Sequence, residues 1–290
     1  RHLLMRSVVD FYLPDCVDEK HGGYLEELDG NGEFTRGNGK FLTLQARQLW
    51  LFSTLAANDI RKDEALVAAQ SGYEFLQSHF RDDTHGGYFS RVSDEGTPID
   101  SRKHAYHNSF VIYRLVSYFR ATGDRQALVA ALDVFDALEK HAYDEEFGGY
   151  QEFFHANWSP ITDPDEPIYV GAINTKTYNT HLHLLEAFTE LYRAAPQPDI
   201  RRRLDELLTI NTVTVRHPKY PCNIDGWTHE WRMLDNPQNL RASYGHDVEC
   251  AWLVLEAARA LDRPLAPLRQ WAVSMVDYSL EHGFDRRHGG

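Results

Sequence analysis

The chain has 290 residues, 42% hydrophobic and 25% charged, a composition that buries a large core as one domain or two smaller ones. Thirty Lys plus Arg against 43 Asp plus Glu leave a net charge of −13, which repels a polyanion such as nucleic acid. No apolar run approaches the ~20 residues of a membrane span, and no signal peptide opens the chain, so neither a membrane nor a nucleic acid is an expected partner. Cys16, Cys222 and Cys250 are odd in number and far apart. They make no disulfide framework and no CxxC metal knuckle, and read as reduced thiols of a cytoplasmic protein.

The chain opens without a methionine, inside an apolar helical pattern. "HGGYLEELDGNGEF" follows from His21, and paired glycines, an aromatic strand and a polar turn give it hairpin chemistry. Helical patterns come next at 41–57 ("FLTLQARQLWLFSTLAA") and 63–80. A second hairpin, "HGGYFSRVSDEGTPI", starts at His85, with helical patterns at 108–122 and 125–143. A third, "FGGYQEFFHANWSPI", starts at Phe147, and a helix begins in "NTHLHLLEAFTELYR" from Asn179. "YPCNIDGWTHEW" (220–231) stands where a divergent fourth copy is due. Helices at 244–258 ("YGHDVECAWLVLEAA") and 265–284 follow, and "HGG" returns at His288.

The first three hairpins lie about 60 to 65 residues apart, so the unit is helix, helix, short hairpin. Two helices per unit predict an all-α fold of concentric layers, closed as an α/α barrel or left as an open solenoid, with the hairpins gathered at one end. The last "HGG" lacks the aromatic strand that follows the earlier copies. The expectation is a fragment, a single barrel domain over 1–290 that is short of its last helical repeat.

The two histidines of "NTHLHLLEAF" are separated by the helical period. Leu184, Leu185, Phe188, Leu191 and Tyr192 form an apolar stripe that includes His181, while His183 points about 200° away. Two ligands of one metal on a helix want i,i+3 or i,i+4 spacing, so the pair does not share a metal. His181 reads as a hydrogen-bonded core histidine. His183 shares a face with Asn179. On the later helix His246 and Glu249 are i,i+3, placing a carboxylate beside an imidazole, while Asp247 points elsewhere, as a helix cap. Arg47 is a lone cation in an apolar helix, and a buried arginine needs a carboxylate or an anionic ligand. No G-x-S-x-G elbow, P-loop, H-E-x-x-H or dinucleotide fingerprint occurs.

Taken together, "KFLTLQARQLWLFS", the GGY hairpins, "NTHLHLLEAFTELYRA" and "SYGHDVECAWLVLEAA" resemble the N-acylglucosamine 2-epimerase superfamily, and its cellobiose 2-epimerase branch in particular, over essentially the whole chain. The resemblance implies an (α/α)6 barrel and an isomerase that works at sugar C2 through an open-chain form and a cis-enediolate, with no metal or redox cofactor. It assigns Arg47 to the sugar oxygens near C1 and C2. Asn179 and His183 become a substrate-contacting pair, with His183 also a catalytic candidate. His246 becomes an acid/base, Glu249 its orienting carboxylate, and Tyr106 of "KHAYHNSF" a cleft-lining residue. The residues after Tyr106 depart from the family's glycine-containing pattern. The family's second acid/base histidine belongs to the last helical repeat, expected beyond residue 290, so the fragment itself is expected to be inactive.

The implied reaction converts the reducing glucose of a β-1,4-linked disaccharide such as cellobiose to mannose. Histidine titrates near neutrality and can move a proton in both directions, and a cation near O1 and O2 stabilises the enediolate. Alternatives within the superfamily are aldose–ketose isomerisation of mannose and 2-epimerisation of an N-acylglucosamine or of mannose. A different class is a non-catalytic carbohydrate-binding module. A glycoside hydrolase would need two facing carboxylates, where the sequence offers a His–Glu pair. A monomer is expected rather than an oligomer.

Overall fold

Short helical turns open the computed structural model, which describes residues 2–168, 172–237 and 239–289. These are α1 (His2–Leu4), a π-helical turn at Met5–Val9 and α2 (Asp10–Tyr12). The strands are two or three residues long: β1 (Glu27–Leu28), β2 (Phe34–Thr35), β3 (Lys40–Phe41), β4 (Arg91–Val92), β5 (Pro98–Asp100), β6 (Lys103–His104), β7 (Phe153–Phe154), β8 (Lys176–Thr177) and β9 (Gly226–Trp227). The long helices are α3 (Leu42–Ala57), α4 (Lys62–Phe75), α5 (Ala105–Thr122), α6 (Arg125–His141), α7 (Tyr178–Ala194), α8 (Pro198–Thr209), α9 (Tyr244–Ala260) and α10 (Leu265–His282).

The backbone groups into two units, Arg1–Glu139 with Phe154–Ser159 and Lys140–Phe153 with Pro160–Gly290. In the first, α3 lies against both α4 and α5. Leu42, Leu49, Phe52, Val111, Ile112 and Leu115 are wholly buried there. Gly123, in the left-handed conformation (φ 77°), ends α5. Helix α6 then buries Ala127, Ala130, Ala131, Val134, Phe135 and Leu138, the three-and-four spacing of an amphipathic helix.

In the second unit α7 packs on α8 and α9, and α9 on α10. The first turn of α7 is capped by Thr177, whose side chain accepts from the Thr180 amide. Helix α8 has no counterpart among the helices read from sequence. Its stripe of Ile200, Leu204, Leu207 and Leu208 is buried, but the charged run "RRRLDE" between them masks the period. Proline at its first turn, with Asp199, is a helix-start signal that could have found it.

One clamp is repeated ahead of the first helix of each pair. In three copies an aspartate four residues before the glycine pair (Asp18, Asp82, Asp144) turns the chain, its Oδ1 accepting amides two and three residues on. The Oδ2 of each meets a buried lysine in the strand that leads into the helix: Lys40 at 2.9 Å, Lys103 at 2.6 Å and Lys176 at 2.7 Å. The same lysines also donate to carbonyls at the tip of the next hairpin, those of Asp94, Ala156 and His229. Five residues after each lysine, the helix presents Gln45, Asn108 or His181 to the tyrosine that follows the glycines. The amides of Tyr24, Tyr88 and Tyr150 donate to them, each at 2.9 Å.

The fourth copy is divergent but uses the same geometry, where the sequence expects it. His217 stands in for the aspartate, its Nδ1 accepting from the amides of Lys219 (3.0 Å) and Tyr220 (3.1 Å). Asp247 accepts from the Asn223 amide at 3.1 Å. Asp247 therefore points away from His246, as read, but anchors this hairpin rather than capping its own helix. Gly149 shows why the glycine pairs are needed. Its φ is 72°, and an added Cβ would stand 2.5 Å from the Trp231 ring and 2.7 Å from His181 Nε2.

His181 is wholly buried, donates from Nδ1 to the Thr177 carbonyl at 2.7 Å and accepts at Nε2 from Tyr150. Burial pushes its pKa down to about 4, with Glu152 opposing the shift, so the ring is neutral at pH 7 with its tautomer set by these two bonds. His181→Ala leaves the Tyr150 amide without an acceptor and is expected to cost about 1 to 3 kcal/mol in urea denaturation. His181→Gln should recover part of that loss, because Gln45 serves the same hairpin position in the first copy. Equal losses for Ala and Gln would show that volume, not the hydrogen bond, is what matters at 181.

Candidate active site

The candidate residues of the second unit stand on α7, on α9 and on the hairpin that ends in β9. Asn179 lies in the first turn of α7, where the helix leaves its amides without intrahelical acceptors. The hairpin supplies them: the Tyr178 amide donates to the Asp225 carbonyl at 2.7 Å and the Asn179 amide to Asp225 Oδ1 at 3.0 Å. The Asn179 side-chain Oδ1 is buried and has no donor among the described residues.

One turn on, His183 is 5% exposed, and its Nδ1 stands 3.1 Å from Glu186 Oε2, an i,i+3 pair on α7. Sequence reasoning passed over Glu186, although the spacing rule applied to His246 and Glu249 would have found it. His246 and Glu249 are both half-buried on α9. The ring of His246 is held by Ser243, with 2.9 Å between Nδ1 and Oγ, and no hydrogen bond joins it to Glu249 among the described residues. Spacing puts the two on one face of the helix, but Ser243, one turn earlier, takes the ring nitrogen expected for the carboxylate. The Tyr178 hydroxyl donates to the His246 carbonyl at 2.9 Å and ties the start of α7 to the start of α9.

In the first unit Arg47 is exposed, with its guanidinium 4.9 Å from the centre of the Phe110 ring and no ion pair among the described residues. The condition set by a buried arginine therefore does not arise, and the cation is accessible to a ligand. Tyr106 stands in the first turn of α5, packed on Phe110 (4.9 Å) and near His104 and His107. Phe110 and Arg47 occupy the same place in their copies of the repeat, seven residues after the clamp lysine, as His183 does in the third.

Asp247 sets a pH dependence. It is wholly buried, and burial pushes its carboxyl up to about 7, against the Asn223 amide, which favours the ionised form. In the unfolded chain an aspartate titrates near ~3.9. The folded state therefore holds the proton more tightly between those values. This contribution to stability is complete below pH ~4 and is lost as pH rises through about 7. Asp247→Asn keeps an oxygen for the Asn223 amide and never ionises. Thermal melts at pH 5 and pH 8 should show the variant gaining on wild type at the higher pH, and a gap that does not change with pH would refute this.

Among the described residues no group of three or more His, Cys, Asp or Glu side chains is placed to hold a metal ion. Cys16, Cys222 and Cys250 are buried and free.

A family model for N-acylglucosamine 2-epimerase (GlcNAc 2-epimerase) matches residues 23–290. A cellobiose 2-epimerase of Dictyoglomus turgidum is 31% identical, over 97% of this chain and 71% of its own length. A D-mannose isomerase of Thermobifida fusca is 28% identical, over 96% of this chain and 67% of its own. The solved cellobiose 2-epimerase of Bacillus thermoamylovorans B4167 superposes with a TM-score of 0.87 at 26% identity, covering 98% of this chain and 72% of that one. The fold is thus all-α and of the (α/α)6-barrel class. The chain spans between 61% and 71% of the length of the first three cellobiose 2-epimerases it matches.

Proposed function

The chain belongs to the N-acylglucosamine 2-epimerase family, and from that premise we propose that the protein is a sugar 2-epimerase acting on the reducing glucose of a β-1,4-linked disaccharide such as cellobiose. The observation that carries the reading is His246: a half-buried imidazole held at Nδ1 by Ser243, its Nε2 without a hydrogen bond among the described residues. It sits beside a helix start that presents the unsatisfied Asn179 oxygen.

In this reading the sugar opens, its C1 carbonyl acidifies C2–H, and His246 Nε2 takes that proton to give a cis-enediolate. A general base must lie within hydrogen-bond reach of its proton, and a ring fixed at Nδ1 with a free Nε2 is built for that. His183, backed by Glu186, is assigned to the proton exchange of the sugar hydroxyls during ring opening. Asn179 orients the substrate, Glu249, on the same face of α9, is assigned to orienting His246, and Arg47 and Tyr106 are assigned to substrate binding. Return of the proton to the opposite face of C2 gives the epimer.

Incubation of the full-length protein with cellobiose in deuterated water should give a glucosyl-mannose carrying deuterium at C2. No product and no deuterium at C2 would end this reading. The match to D-mannose isomerases favours a second one, in which the proton returns to C1 and an aldose becomes a ketose. Fructose formed from mannose, with cellobiose inert, would establish it.

A further inference from the structure

We propose that Asp225 is a substrate-contacting, specificity-determining residue, whose outer carboxylate oxygen accepts a hydroxyl of the same sugar that Asn179 orients. The proposal rests on the sugar-epimerase reading and names a residue that the reading does not require.

Comparison with the third copy of the repeat makes Asp225 stand out. Two residues after the clamped tyrosine, the first and third hairpins carry Glu26 and Glu152, and both accept from the helix start that follows, Glu26 through one oxygen and Glu152 through two. Glu26 Oε1 accepts from the Phe41 amide and from Gln45 Nε2, each at 2.8 Å. Glu152 accepts from the Thr177 amide and from the hydroxyls of Thr177 (3.2 Å) and Thr180 (2.8 Å), using both oxygens, and is 3% exposed. The fourth hairpin has Asp225 at this place, one methylene shorter. Its Oδ1 takes the Asn179 amide, but no donor reaches Oδ2 among the described residues, and the side chain is half-buried.

The neighbouring Asn179 Oδ1 is also an acceptor without a donor. A carboxylate oxygen left without a donor among the described residues, on the residue that holds the Asn179 amide and beside His246, suits a ligand rich in hydroxyl donors, as a polyol is. The charge pattern agrees with the geometry. Burial raises the Asp225 carboxyl above its ordinary range, the Asn179 amide opposes this, Glu152 adds to it and His246 opposes it. A donated hydroxyl would favour the ionised form and relieve the cost of that burial.

Asp225→Asn tests the idea, because the amide still caps Asn179 through its oxygen while the second acceptor becomes a donor. Wild type and variant of the full-length protein would be assayed on cellobiose and on analogues deoxygenated at C3 or C6 of the reducing sugar. The expected result is a KM for cellobiose raised about tenfold or more, kcat changed far less, and one deoxy analogue that is penalised in wild type but not in the variant. KM and kcat within about twofold of wild type, or deoxygenation penalties equal in both proteins, would overturn the proposal. So would an equal fall in kcat on every substrate with a lowered Tm, the mark of a purely structural cap. If wild type does not turn over cellobiose, the epimerase reading fails first. Calorimetric binding of cellobiose and mannose then reads Asp225 directly, with affinity about tenfold weaker in the variant expected and equal affinity excluding it.

Discussion

His246→Ala is expected to lower kcat by about 10²- to 10⁴-fold while leaving thermal stability near that of wild type, the range by which general acid–base groups accelerate proton transfer. The structure separates the two effects. The ring of His246 is half-buried, and its one hydrogen bond among the described residues goes to Ser243, itself an exposed residue. The bond that ties α9 to α7 uses the His246 backbone carbonyl, which alanine retains. Removing the imidazole therefore takes away a proton carrier and little packing. Glu249→Gln should cost less activity, because among the described residues the ring is held by Ser243 and not by a bond to this carboxylate. Deuterium incorporation at C2 from deuterated water, measured beside a thermal melt, checks the order. Near-full activity in His246→Ala, or a collapse of the melt that accounts for the loss, would remove His246 from the chemistry.

The same two histidine segments show how far a sequence can be read. The helical period places His181 and His183 on different faces, since the angle follows from residue number, and His181 is the buried, hydrogen-bonded histidine that its stripe implies. Spacing cannot supply rotamers or rivals. Glu249 is at the right distance along α9 to meet His246, yet Ser243 holds the ring; Glu186, at the same spacing from His183, forms the pair. The fold was legible through its glycine pairs, since the left-handed backbone and the close approach of Trp231 leave a mark that other residues cannot imitate. The first residues to escape notice were charged ones that end up buried. Lys40, Lys103 and Lys176 carry no local sign of burial, because their aspartates lie 22, 21 and 32 residues away. Asp225 was invisible for a related reason: its meaning comes from comparison with Glu152, which requires knowing that the two hairpins are superposable. Helix α8 was lost because three consecutive arginines interrupt its apolar stripe.

The clamp itself carries the largest expected effect on stability. Lys176→Met should destabilise the protein by about 3 to 5 kcal/mol, the usual result of removing one member of a buried ion pair. The Lys176 side chain is wholly buried, and its ammonium donates to Asp144 Oδ2 (2.7 Å), the Gly148 carbonyl (2.6 Å) and the His229 carbonyl (2.8 Å). Methionine fills the volume and satisfies none of them. The charges are real in the folded state. Burial pulls the lysine pKa down while Asp144 resists. Burial would likewise raise Asp144, but Lys176 and the turn amides outweigh it and hold the carboxyl below its ordinary value. Once the ammonium is gone, the carboxylate must stay ionised in a desolvated turn or take up a proton, and either course costs stability at pH 7. Asp144→Asn in the Lys176→Met background removes that stranded charge and keeps an oxygen for the Glu146 and Phe147 amides. The double variant should therefore be more stable than Lys176→Met alone, with a coupling energy measurable by urea denaturation of the four proteins. Additive losses, or a Lys176→Met cost below about 1 kcal/mol, the level of an exposed pair, would show that the clamp is dispensable and that the glycine pair and Trp231 hold the hairpin without it.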